Sequence, residues 1–306
     1  MTNPLLITAD WGTSSFRAFL VGGNAEVFEK KQAPLGIMKV ENKDFAGIFT
    51  QLLKDWLSNY PNIPVLMSGM IGSEQGWSLA PHVKLPAGNK ELAAALHPVR
   101  ISTGRTGYII PGLKTVGSSG IHDIMRGEET QIVGGFKNKW TNECVLCLPG
   151  THSKWVILKD GVVTNFQTSM TGEVIDVLAG NSILSRLMED HNIGLNESFA
   201  KGINRSIEIG GLLHHLFAVR SQGFIGKVPK RDLKTYLAGI LIGHEIKGMM
   251  EIYPKLDSIT IIGGAKVLKI YEKAFDIFSV DTQLLDGDIA AIQGHLMIAK
   301  IAGLIR

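Results

Sequence analysis

A short glycine-and-hydroxyl turn that occurs twice constrains this fold more than any other feature of the sequence. The two copies, Gly12-Thr13-Ser14-Ser15 and Gly150-Thr151-His152-Ser153, start 138 residues apart, at positions 12 and 150. The same offset relates Phe19-Leu20 to Ile157-Leu158. Similarity at about half the chain length indicates a duplicated unit, so we predict two domains of one topology.

The length of the chain agrees with two domains. Its 306 residues, 45% hydrophobic and 19% charged, supply apolar material for two cores. We predict a boundary in the polar stretch Lys137–Asn142, between an N-terminal lobe of residues 1–140 and a C-terminal lobe of residues 141–306. The last predicted helix is also considered as an element that packs back on the first lobe.

Each half is predicted to begin with the same elements, namely a buried strand, the turn, a second strand, a hairpin and a third strand. The first half then continues with a helix, a strand and a loop, whereas the second half is more helical. The predicted strands are Leu5–Ala9, Phe16–Val21, Val27–Lys31, Pro64–Met67, Glu143–Leu148, Trp155–Leu158, Val162–Gln167 and Ser258–Ile262. The predicted helices are Phe45–Leu57, Asp123–Phe136, Val174–Glu189, Gly211–Gln222, Arg231–Met250 and Asp288–Leu304.

Composition argues against several classes of protein. The net charge of +3 comes without a Lys/Arg-rich block, so nothing indicates nucleic-acid binding. The N-terminus lacks a basic segment ahead of an apolar one, and no apolar run reaches ~20 residues, so we expect a soluble, cytoplasmic protein. Cys144 and Cys147, the only cysteines, lie in an apolar run without a second pair, which favours core residues over a zinc site.

The two turns have the chemistry of phosphate loops. A glycine allows close backbone approach, and successive N–H groups and hydroxyls donate to phosphate oxygens. Asp10, just before the first turn, is suited to hold Mg²⁺ through water. An ordinary hairpin turn uses the same residue types, so either turn alone is a weak signal.

A third element is the apolar strand Ile259–Ile262, which ends in Gly263-Gly264-Ala265. Glycines at such a position let a flat base or ribose lie against the backbone. A simple strand-to-helix turn explains the same residues and is favoured when the segment is taken alone.

The sequence does not match three other nucleotide-binding or metal-binding motifs. The chain has no G-x-x-x-x-G-K-[ST] sequence, which argues against a P-loop NTPase. Lys230-Arg231-Asp232-Leu233 is followed by Leu237 where a protein kinase has its metal-binding Asn. His214 and His215 are adjacent and so diverge on a helix, which indicates surface or core histidines and not a ligand pair.

Taken in order, Asp-x-Gly-Thr, Gly-Thr-x-Ser and strand-Gly-Gly-Ala resemble the sugar kinase/heat-shock ATPase/actin superfamily. The resemblance implies an α/β fold with two lobes of ribonuclease H-like (actin-like ATPase) topology and a nucleotide cleft between them. Over nearly the whole chain, the sequence is similar to the 2-keto-3-deoxygalactonate kinase family. The segments that carry this similarity are Gly69–Trp77, Met125–Gln131, Leu148–Trp155 and Met170–Glu173.

The family resemblance implies ATP, Mg²⁺ and phosphorylation of a 2-keto-3-deoxy sugar acid, giving the 6-phosphate. Asp10 is our choice for Mg²⁺, because it sits at the first phosphate turn. A substrate carboxylate should meet a cation, and Arg126 is the first choice among four candidates, Arg17, Lys84, Arg105 and Arg126. The residues expected at the nucleotide are Gly12, Thr13, Ser14, Ser15, Gly150, Thr151, His152, Ser153, Lys154, Gly263, Gly264 and Ala265. Those expected at the sugar acid are Gly69, Met70, Gly72, Ser73, Trp77, Arg126, Thr171 and Glu173.

The catalytic base is expected to be Asp123, because sugar kinases of this superfamily use an aspartate that in several members opens a helix after a polar turn. Gly117–Asp123 has that layout, although a helix N-cap would use the same aspartate. Glu128, Glu129 and Glu173 stay open as alternatives.

Rival functions also stay open at this point. Another kinase of the superfamily, acting on a hexose, glycerol or acetate, would share the loops. A non-catalytic sugar-sensing regulator would add a DNA-binding helix-turn-helix, and a chaperone-like ATPase would add a peptide-binding domain. The expected partners are ATP and a small sugar acid, with no nucleic acid or membrane, and both monomer and homodimer are open.

Overall fold

A computed structural model describes residues 3–102, 104–117, 120–135, 143–190, 192–254 and 256–306. The chain divides into two compact units. Unit 1 comprises Met1–Glu143, Ile157–Phe166 and Asp286–Arg306, and unit 2 comprises Cys144–Val156 and Gln167–Leu285. Unit 1 is therefore discontinuous in sequence. The predicted boundary stretch, Lys137–Asn142, lies outside the described residues.

The strands of unit 1 form two sheets. They are β1 (Leu6–Trp11), β2 (Phe16–Val21), β3 (Val27–Ala33), β4 (Val65–Ser68), β5 (His82–Lys84), β6 (His97–Ser102), β7 (Arg105–Ile109), β8 (Gly112–Val116) and β9 (His122–Met125). The larger sheet has the order β3-β2-β1-β4-β7-β6, and the smaller has the order β5-β8-β9. The helices of this unit are α1 (Phe45–Leu52), α2 (Lys54–Asn59), α3 (Asn89–Ala94), α4 (Glu128–Gly135) and, at its end, α10 (Gly287–Ile301).

The larger sheet brings two strand ends together. Asp10 of β1 is opposite Arg17 of the antiparallel β2 and opposite Ser68 of the parallel β4. Because parallel strands end at the same edge of a sheet, Asp10 and the turn after Ser68 become neighbours. Trp11 and Phe49 stack within the fully buried core that packs on this sheet.

Five further strands form a third sheet. They are β10 (Glu143–Leu148), β11 (Ser153–Lys159), β12 (Val162–Ser169), β13 (Ser258–Gly263) and β14 (Asp281–Asp286). Its order is β12-β11-β10-β13-β14, with β10 and β13 parallel. The third, second, first and fourth strands of this sheet, in that spatial order, therefore repeat the order β3-β2-β1-β4 of the larger sheet of unit 1. This repeat of strand order confirms the predicted α/β fold with two units of one topology. The helices of unit 2 are α5 (Thr171–Asn181), α6 (Glu197–Ile207), α7 (Gly211–Phe224), α8 (Leu233–Ile252) and α9 (Ala265–Ile277).

The sequence interpretation of the two cysteines agrees with the structure. Cys147 is fully buried in the core of unit 2, and Cys144 is half-buried. None of the helices formed by the described residues has the length and apolar character needed to cross a bilayer.

The predicted start of the fourth helix at Asp123 is wrong, because α4 begins at Glu128. Asp123 lies in strand β9, opposite Thr115 of β8. The strand ends at Met125, Gly127 takes a φ of +111°, and α4 begins only at Glu128. A positive φ does not fit inside a right-handed helix, so the turn at Gly127 separates Asp123 from the helix.

The predicted helix Phe45–Leu57 is interrupted in the structure. It divides into α1 and α2 at Leu53, whose φ of −111° and ψ of 17° leave the helical region. Several elements were not predicted, among them β5 to β9, α3, α6, α9 and β14.

Candidate active site

The first phosphate loop, residues 12–15, joins β1 to β2 at the surface. Within it the Gly12 N–H donates to the Ser15 carbonyl at 2.9 Å, and the Gly12 carbonyl accepts from Ile37 N–H at 3.0 Å. A Cβ at Gly36 would lie only 2.1 Å from the Thr13 carbonyl, so this glycine permits the neighbouring segment to support the loop. Thr13 and Ser15 are exposed, which leaves their hydroxyls accessible to a phosphate.

Asp10 stands beside this loop and belongs to a charged cluster. The Arg17 guanidinium donates to the Asp10 carboxylate and, at 2.6 Å, to Asp288 near the start of α10. Lys30 also donates to Asp288, at 2.9 Å. Burial opposes the charge of Arg17, but Asp10 and Asp288 together raise its pKa, so Arg17 stays a fixed cation that orients the Asp10 carboxylate.

Three backbone segments converge at Asp10. A Cβ at Gly69, which follows β4 with a φ of +93°, would lie 2.9 Å from Asp10 Oδ1. A Cβ at Gly127 would lie 3.3 Å from the Gly69 Cα. The end of β1, the end of β4 and the start of α4 therefore meet at one place, and ligands of open α/β sheets bind at such carboxyl ends.

Arg126 lies next to the place where these three segments meet, and one of its guanidinium nitrogens has no partner among the described residues. Its Nη2 donates to the Ala80 carbonyl at 2.8 Å and approaches the His82 ring at 3.2 Å. Its Nη1 is buried and has no hydrogen-bond partner among the described residues, and a Cβ at Gly72 would lie 2.8 Å from it. Burial lowers the pKa of Arg126 and, with the nearby positive charges of Arg126 and Lys114, lowers that of His82 to about 4. His82 is therefore neutral at pH 7 and adds no competing cation.

Two carboxylates open α4. Glu128 accepts from the Arg126 N–H at 3.1 Å, and Glu129 accepts from the Gly127 N–H at 2.7 Å. Glu129 is fully buried, and burial, followed by the charge of Glu128, raises its pKa to about 8. Glu129 therefore carries a proton near neutral pH, whereas Glu128 is only partly buried at the N-terminus of the helix.

Asp123 occupies a different position from the one predicted. It lies in β9 and accepts the N–H of the next residue, Ile124, at 2.7 Å. Its side chain is half-buried. Opening the helix was the reason for favouring Asp123 as the base, and in the structure that position belongs to Glu128.

The segment after β4 contains five residues expected at the sugar acid, namely Gly69, Met70, Gly72, Ser73 and Trp77. Met70–Gly72 is a single 3₁₀ turn, and the Trp77 N–H donates to the Ile71 carbonyl at 2.9 Å. The Trp77 ring packs 5.8 Å from that of Phe49, against the core of unit 1. Ser73 Oγ is buried and has no partner among the described residues, so it is available to a ligand.

In unit 2, the phosphate loop 150–154 rests on the N-terminus of α5. A Cβ at Gly172 would lie 2.2 Å from the Gly150 carbonyl, and the Glu173 N–H donates to the Thr151 carbonyl at 2.9 Å. The Glu173 carboxylate contacts His152 Nε2 at 2.5 Å. Thr171 and Glu173 were predicted at the sugar acid. In the structure they belong to the start of α5, which packs against the second phosphate loop.

The side chains on the second loop differ in accessibility. Thr151 and His152 are exposed, whereas Ser153 and Lys154 are buried. The Lys154 ammonium donates to Thr168 Oγ1 at 2.7 Å, so its charge is not displayed at the surface of the loop.

A buried carboxylate, which was not predicted from the sequence, holds the second phosphate loop through hydrogen bonds. Glu245 of α8 accepts from Trp155 Nε1 at 2.8 Å and from the Tyr271 hydroxyl at 2.7 Å. Tyr271 also meets Ser153 Oγ at 3.0 Å. Burial raises the pKa of Glu245, while hydrogen bonds from Thr171, Trp155, Tyr271 and Ser153 lower it. One carboxylate therefore ties the loop, α5 and α9 together, and its only sequence signal is a Glu in the apolar run of α8.

A cavity of about 210 Å³ opens beside the second loop within unit 2. Gly150 and Thr151 line it with polar backbone, and most of the other lining side chains are apolar, with Asp176 as the charged exception. The lining is completed by Gly172, Ile175, Asp176, Ile193, Ile242, Val267, Ile270 and Tyr271.

Gly263-Gly264-Ala265 connects β13 to α9, which supplies three residues of this wall. A Cβ at Gly263 would lie 3.1 Å from Val267, whereas nothing lies within 4 Å of one at Gly264. The backbone at Gly264 is therefore open to a ligand, and Ala265 begins the helix that lines the cavity.

Comparisons with known proteins agree with this architecture. The sequence profile of the family described as 2-keto-3-deoxy-galactonokinase matches residues 10–298. The chain is 31% identical over 293 residues to the 2-dehydro-3-deoxygalactonokinase of Escherichia coli strain K12, covering 96% of this chain and 97% of that protein.

Solved structures give the same result. A putative 2-dehydro-3-deoxygalactonokinase from Sinorhizobium meliloti superposes with a TM-score of 0.89 at 30% identity, covering 96% of this chain and 98% of that one. The activator of the 2-hydroxyisocaproyl-CoA dehydratase from Clostridium difficile, with bound ADPNP, shares the fold at a TM-score of 0.52 and 11% identity, covering 99% of this chain and 96% of that one. The chain therefore belongs to the 2-keto-3-deoxy-galactonokinase family.

Proposed function

We propose that the protein transfers the γ-phosphate of ATP to a hydroxyl of 2-keto-3-deoxygalactonate, giving the 6-phosphate, in galactonate catabolism. The observation that carries the sugar-acid part is the buried, unpartnered Nη1 of Arg126 beside Gly72. An unsatisfied guanidinium donor is costly unless a ligand completes it, and a carboxylate matches its geometry. Relatives named as 2-dehydro-3-deoxygalactonokinases support the same substrate.

ATP is assigned to the two phosphate loops and to the cavity of unit 2. The exposed Thr13 and Ser15 hydroxyls in unit 1, and those of Thr151 and its neighbours in unit 2, are donors suited to phosphate oxygens. The apolar walls of the cavity suit an adenine ring, since nucleotide sites combine apolar surface with a few polar groups. A protein of the same fold that holds ADPNP is consistent with this assignment.

Mg²⁺ fits Asp10 as its protein contact. The ion keeps several waters and usually takes one or two carboxylates together with substrate phosphates, so one aspartate at a phosphate loop is sufficient. Within the described part of the chain, no group of three or more His, Cys, Asp or Glu side chains is suited to hold a metal. When bound, Mg²⁺ neutralises charge on the β- and γ-phosphates.

The chemical step requires mainly positioning and one proton acceptor. The sugar hydroxyl oxygen forms a bond to the γ-phosphorus, the bond from that phosphorus to the β–γ bridging oxygen breaks, and ADP leaves. The hydroxyl proton passes to a carboxylate. Glu128 is our first choice for this base, because it opens α4 next to Gly127, which contacts Gly69 beside Asp10. Asp123, the earlier expectation, remains the alternative.

The proposal is tested by measuring ADP release with a panel of acceptors. We expect 2-keto-3-deoxygalactonate to give the highest kcat/KM, 2-keto-3-deoxygluconate to give less, and uncharged hexoses to give none above background. Equal turnover of an uncharged hexose would favour another sugar kinase. The absence of any acceptor-dependent ADP release would favour a non-catalytic sugar-binding protein.

Arg126 provides the second arm of the test. Losing a charged hydrogen bond of ~1.5–3 kcal/mol corresponds to roughly a 10- to 100-fold rise in the KM for the sugar acid in Arg126→Gln, with the KM for ATP unchanged. Arg100→Gln, at an exposed position of β6, is the matched control. An unchanged sugar-acid KM in Arg126→Gln would remove Arg126 from the carboxylate site.

A further inference from the structure

Thr8 of β1 and His295 of α10 are buried polar side chains of unit 1, and each is only 1% exposed. Thr8 Oγ1 and His295 Nε2 have no hydrogen-bond partner among the described residues. A buried polar atom without a partner costs stability, and such atoms are rare in folded proteins. Two of them beside one sheet therefore call for a physical explanation.

Thr8 belongs to the same face of the sheet as Asp10. The two residues are separated by one position in β1, so their side chains project in the same direction. Ile7, Ala9 and Trp11 project from the other face, into the core that includes α1. Thr8 and Asp10 therefore point away from that core.

Helix α10 covers the face of the sheet that carries Thr8 and Asp10. Near the start of this helix, Asp288 accepts from Arg17, which also donates to Asp10. The helix also packs on β1 and β4. His295 follows Asp288 by seven residues, or about two helical turns, so the two side chains project from the same side of α10. His295 therefore faces the sheet on the side of Thr8 and Asp10.

The hydrogen bonding of His295 determines what its free nitrogen can do. Nδ1 lies 2.7 Å from the Ala291 carbonyl, and because a carbonyl only accepts, Nδ1 carries the proton. Burial lowers the pKa of His295 to about 4, although the bond to Ala291 and the negative charge of Asp10 oppose this lowering. The ring is therefore neutral at pH 7, and Nε2 presents a lone pair. The influence of Asp10 also agrees with a position of the ring near that carboxylate.

We propose that one bound water links Thr8 Oγ1, His295 Nε2 and the Asp10 carboxylate, which makes Thr8 and His295 positioning residues for Asp10. The water accepts from the Thr8 hydroxyl, donates one hydrogen to His295 Nε2 and donates the other to Asp10. Every bond then has one donor and one acceptor. Buried waters typically make about three hydrogen bonds to groups that otherwise lack partners, which matches this set.

The benefit of such a water for function rests on the proposed contact of Asp10 with Mg²⁺. The Arg17 guanidinium already donates to the Asp10 carboxylate. A water fixed by Thr8 and His295 adds a second hydrogen bond, so the carboxylate keeps one orientation beside the first phosphate loop. Removing the water should therefore weaken Mg²⁺-dependent nucleotide binding and leave the contact of Arg126 with the sugar acid unchanged.

Thr8→Val tests the water through stability, because valine has nearly the shape of threonine but lacks its hydroxyl. If the hydroxyl binds the water, we expect the melting temperature to fall by ~2–4 °C. A hydroxyl without any partner predicts the opposite shift, since valine would remove an unsatisfied polar atom from the interior. Thr106→Val, at an exposed position of β7, is the matched control and should melt within about 1 °C of wild type. An unchanged or higher melting temperature in Thr8→Val overturns the proposal.

A double-mutant cycle tests whether Thr8 and His295 share one water. His295→Phe removes the Nε2 acceptor but keeps a flat ring, and the water should be lost with the acceptor. Thr8→Val should then cause no further fall in melting temperature in the His295→Phe background. Equal falls in the two backgrounds overturn the shared water. Thr8→Val in the wild-type background decides the matter even where His295→Phe does not fold.

Calorimetric titration with ADP, with and without Mg²⁺, tests the positioning of Asp10. In Thr8→Val we expect ADP to bind roughly 2- to 10-fold more weakly with Mg²⁺ present and equally well in EDTA. Asp10→Asn should lose the effect of Mg²⁺ altogether. If Asp10→Asn loses this effect and Thr8→Val keeps it, the positioning role is overturned. An unchanged effect of Mg²⁺ in Asp10→Asn would overturn the positioning role together with the proposed Mg²⁺ contact, whereas the melting temperatures report on the water alone.

Discussion

The buried carboxylate of Glu245 provides the sharpest test of how the second phosphate loop is held. In Glu245→Ala the Trp155 N–H and the Tyr271 hydroxyl lose their acceptor inside a dry core. The buried Trp155 N–H is then left without a partner, which costs ~1–3 kcal/mol, whereas the Tyr271 hydroxyl can still donate to Ser153. The variant should therefore lose on the order of 1–3 kcal/mol of unfolding free energy. Because Tyr271 also contacts Ser153, the loop should loosen and the KM for ATP should rise.

Glu245→Gln separates hydrogen bonding from charge. Its amide oxygen can accept from Trp155, and its NH₂ can donate to the Tyr271 oxygen, whose hydroxyl then donates to Ser153. We therefore expect a loss of about 1 kcal/mol or less and a nearly normal KM for ATP. The measurements are denaturant unfolding followed by Trp fluorescence and steady-state kinetics with varied ATP.

The pH dependence of these variants gives an independent check. Burial raises the pKa of Glu245 above its unfolded value of ~4.3, so the folded state binds this proton more tightly than the unfolded state. Its contribution to wild-type stability is greatest below the unfolded pKa and is lost as pH rises toward the folded pKa. The stability of Glu245→Gln relative to wild type should therefore increase as pH rises from about 4. A Glu245→Ala variant with wild-type stability and ATP affinity would refute the proposed support of the loop.

Three further predictions concern other parts of the molecule. Thr151→Val should weaken ATP binding by roughly tenfold, since one hydrogen bond to phosphate is lost, and Thr151→Ser should not; calorimetric titration measures both. Glu128→Gln should lower kcat by ~10²–10⁴-fold with ATP affinity intact, and a comparable loss in Asp123→Asn alone would make Asp123 the base. Gly134→Ala should destabilise the protein by ~1–3 kcal/mol or more in denaturant, because its Cβ would lie 1.7 Å from a carbonyl of α10, whereas Gly180→Ala, at an open helical position, should not.

The fold could be predicted largely because its main signals are local. Apolar runs bounded by glycine turns gave Phe16–Val21 and Glu143–Leu148 with the bounds seen in the structure. The repeated turn then predicted that both halves share one topology, which the two strand orders confirm. The sheet β5-β8-β9 was not predicted because its strands are three to five residues long and β5 pairs with a strand that is distant in sequence, β8.

The candidate site could be predicted only in part, for the same reason. The two loops are recognisable from residue types, but the contact of Gly127 with Gly69, and of Gly69 with Asp10, depends on chain packing that no local pattern encodes. Asp123 was misplaced because a polar turn before an acidic residue is equally compatible with a hairpin strand. Glu245 was overlooked because only the folded structure brings its partners together.

The close packing of α10 on α4 has a consequence for folding during synthesis on the ribosome. Cβ atoms at Gly134 and Gly294 would lie 1.7 Å and 1.9 Å from backbone carbonyls of the opposite helix, so each helix completes the other. All of unit 2 is synthesised between them. Unit 2 can therefore fold while the chain is still growing, but unit 1, whose α4 carries the proposed base, must wait for α10 to emerge.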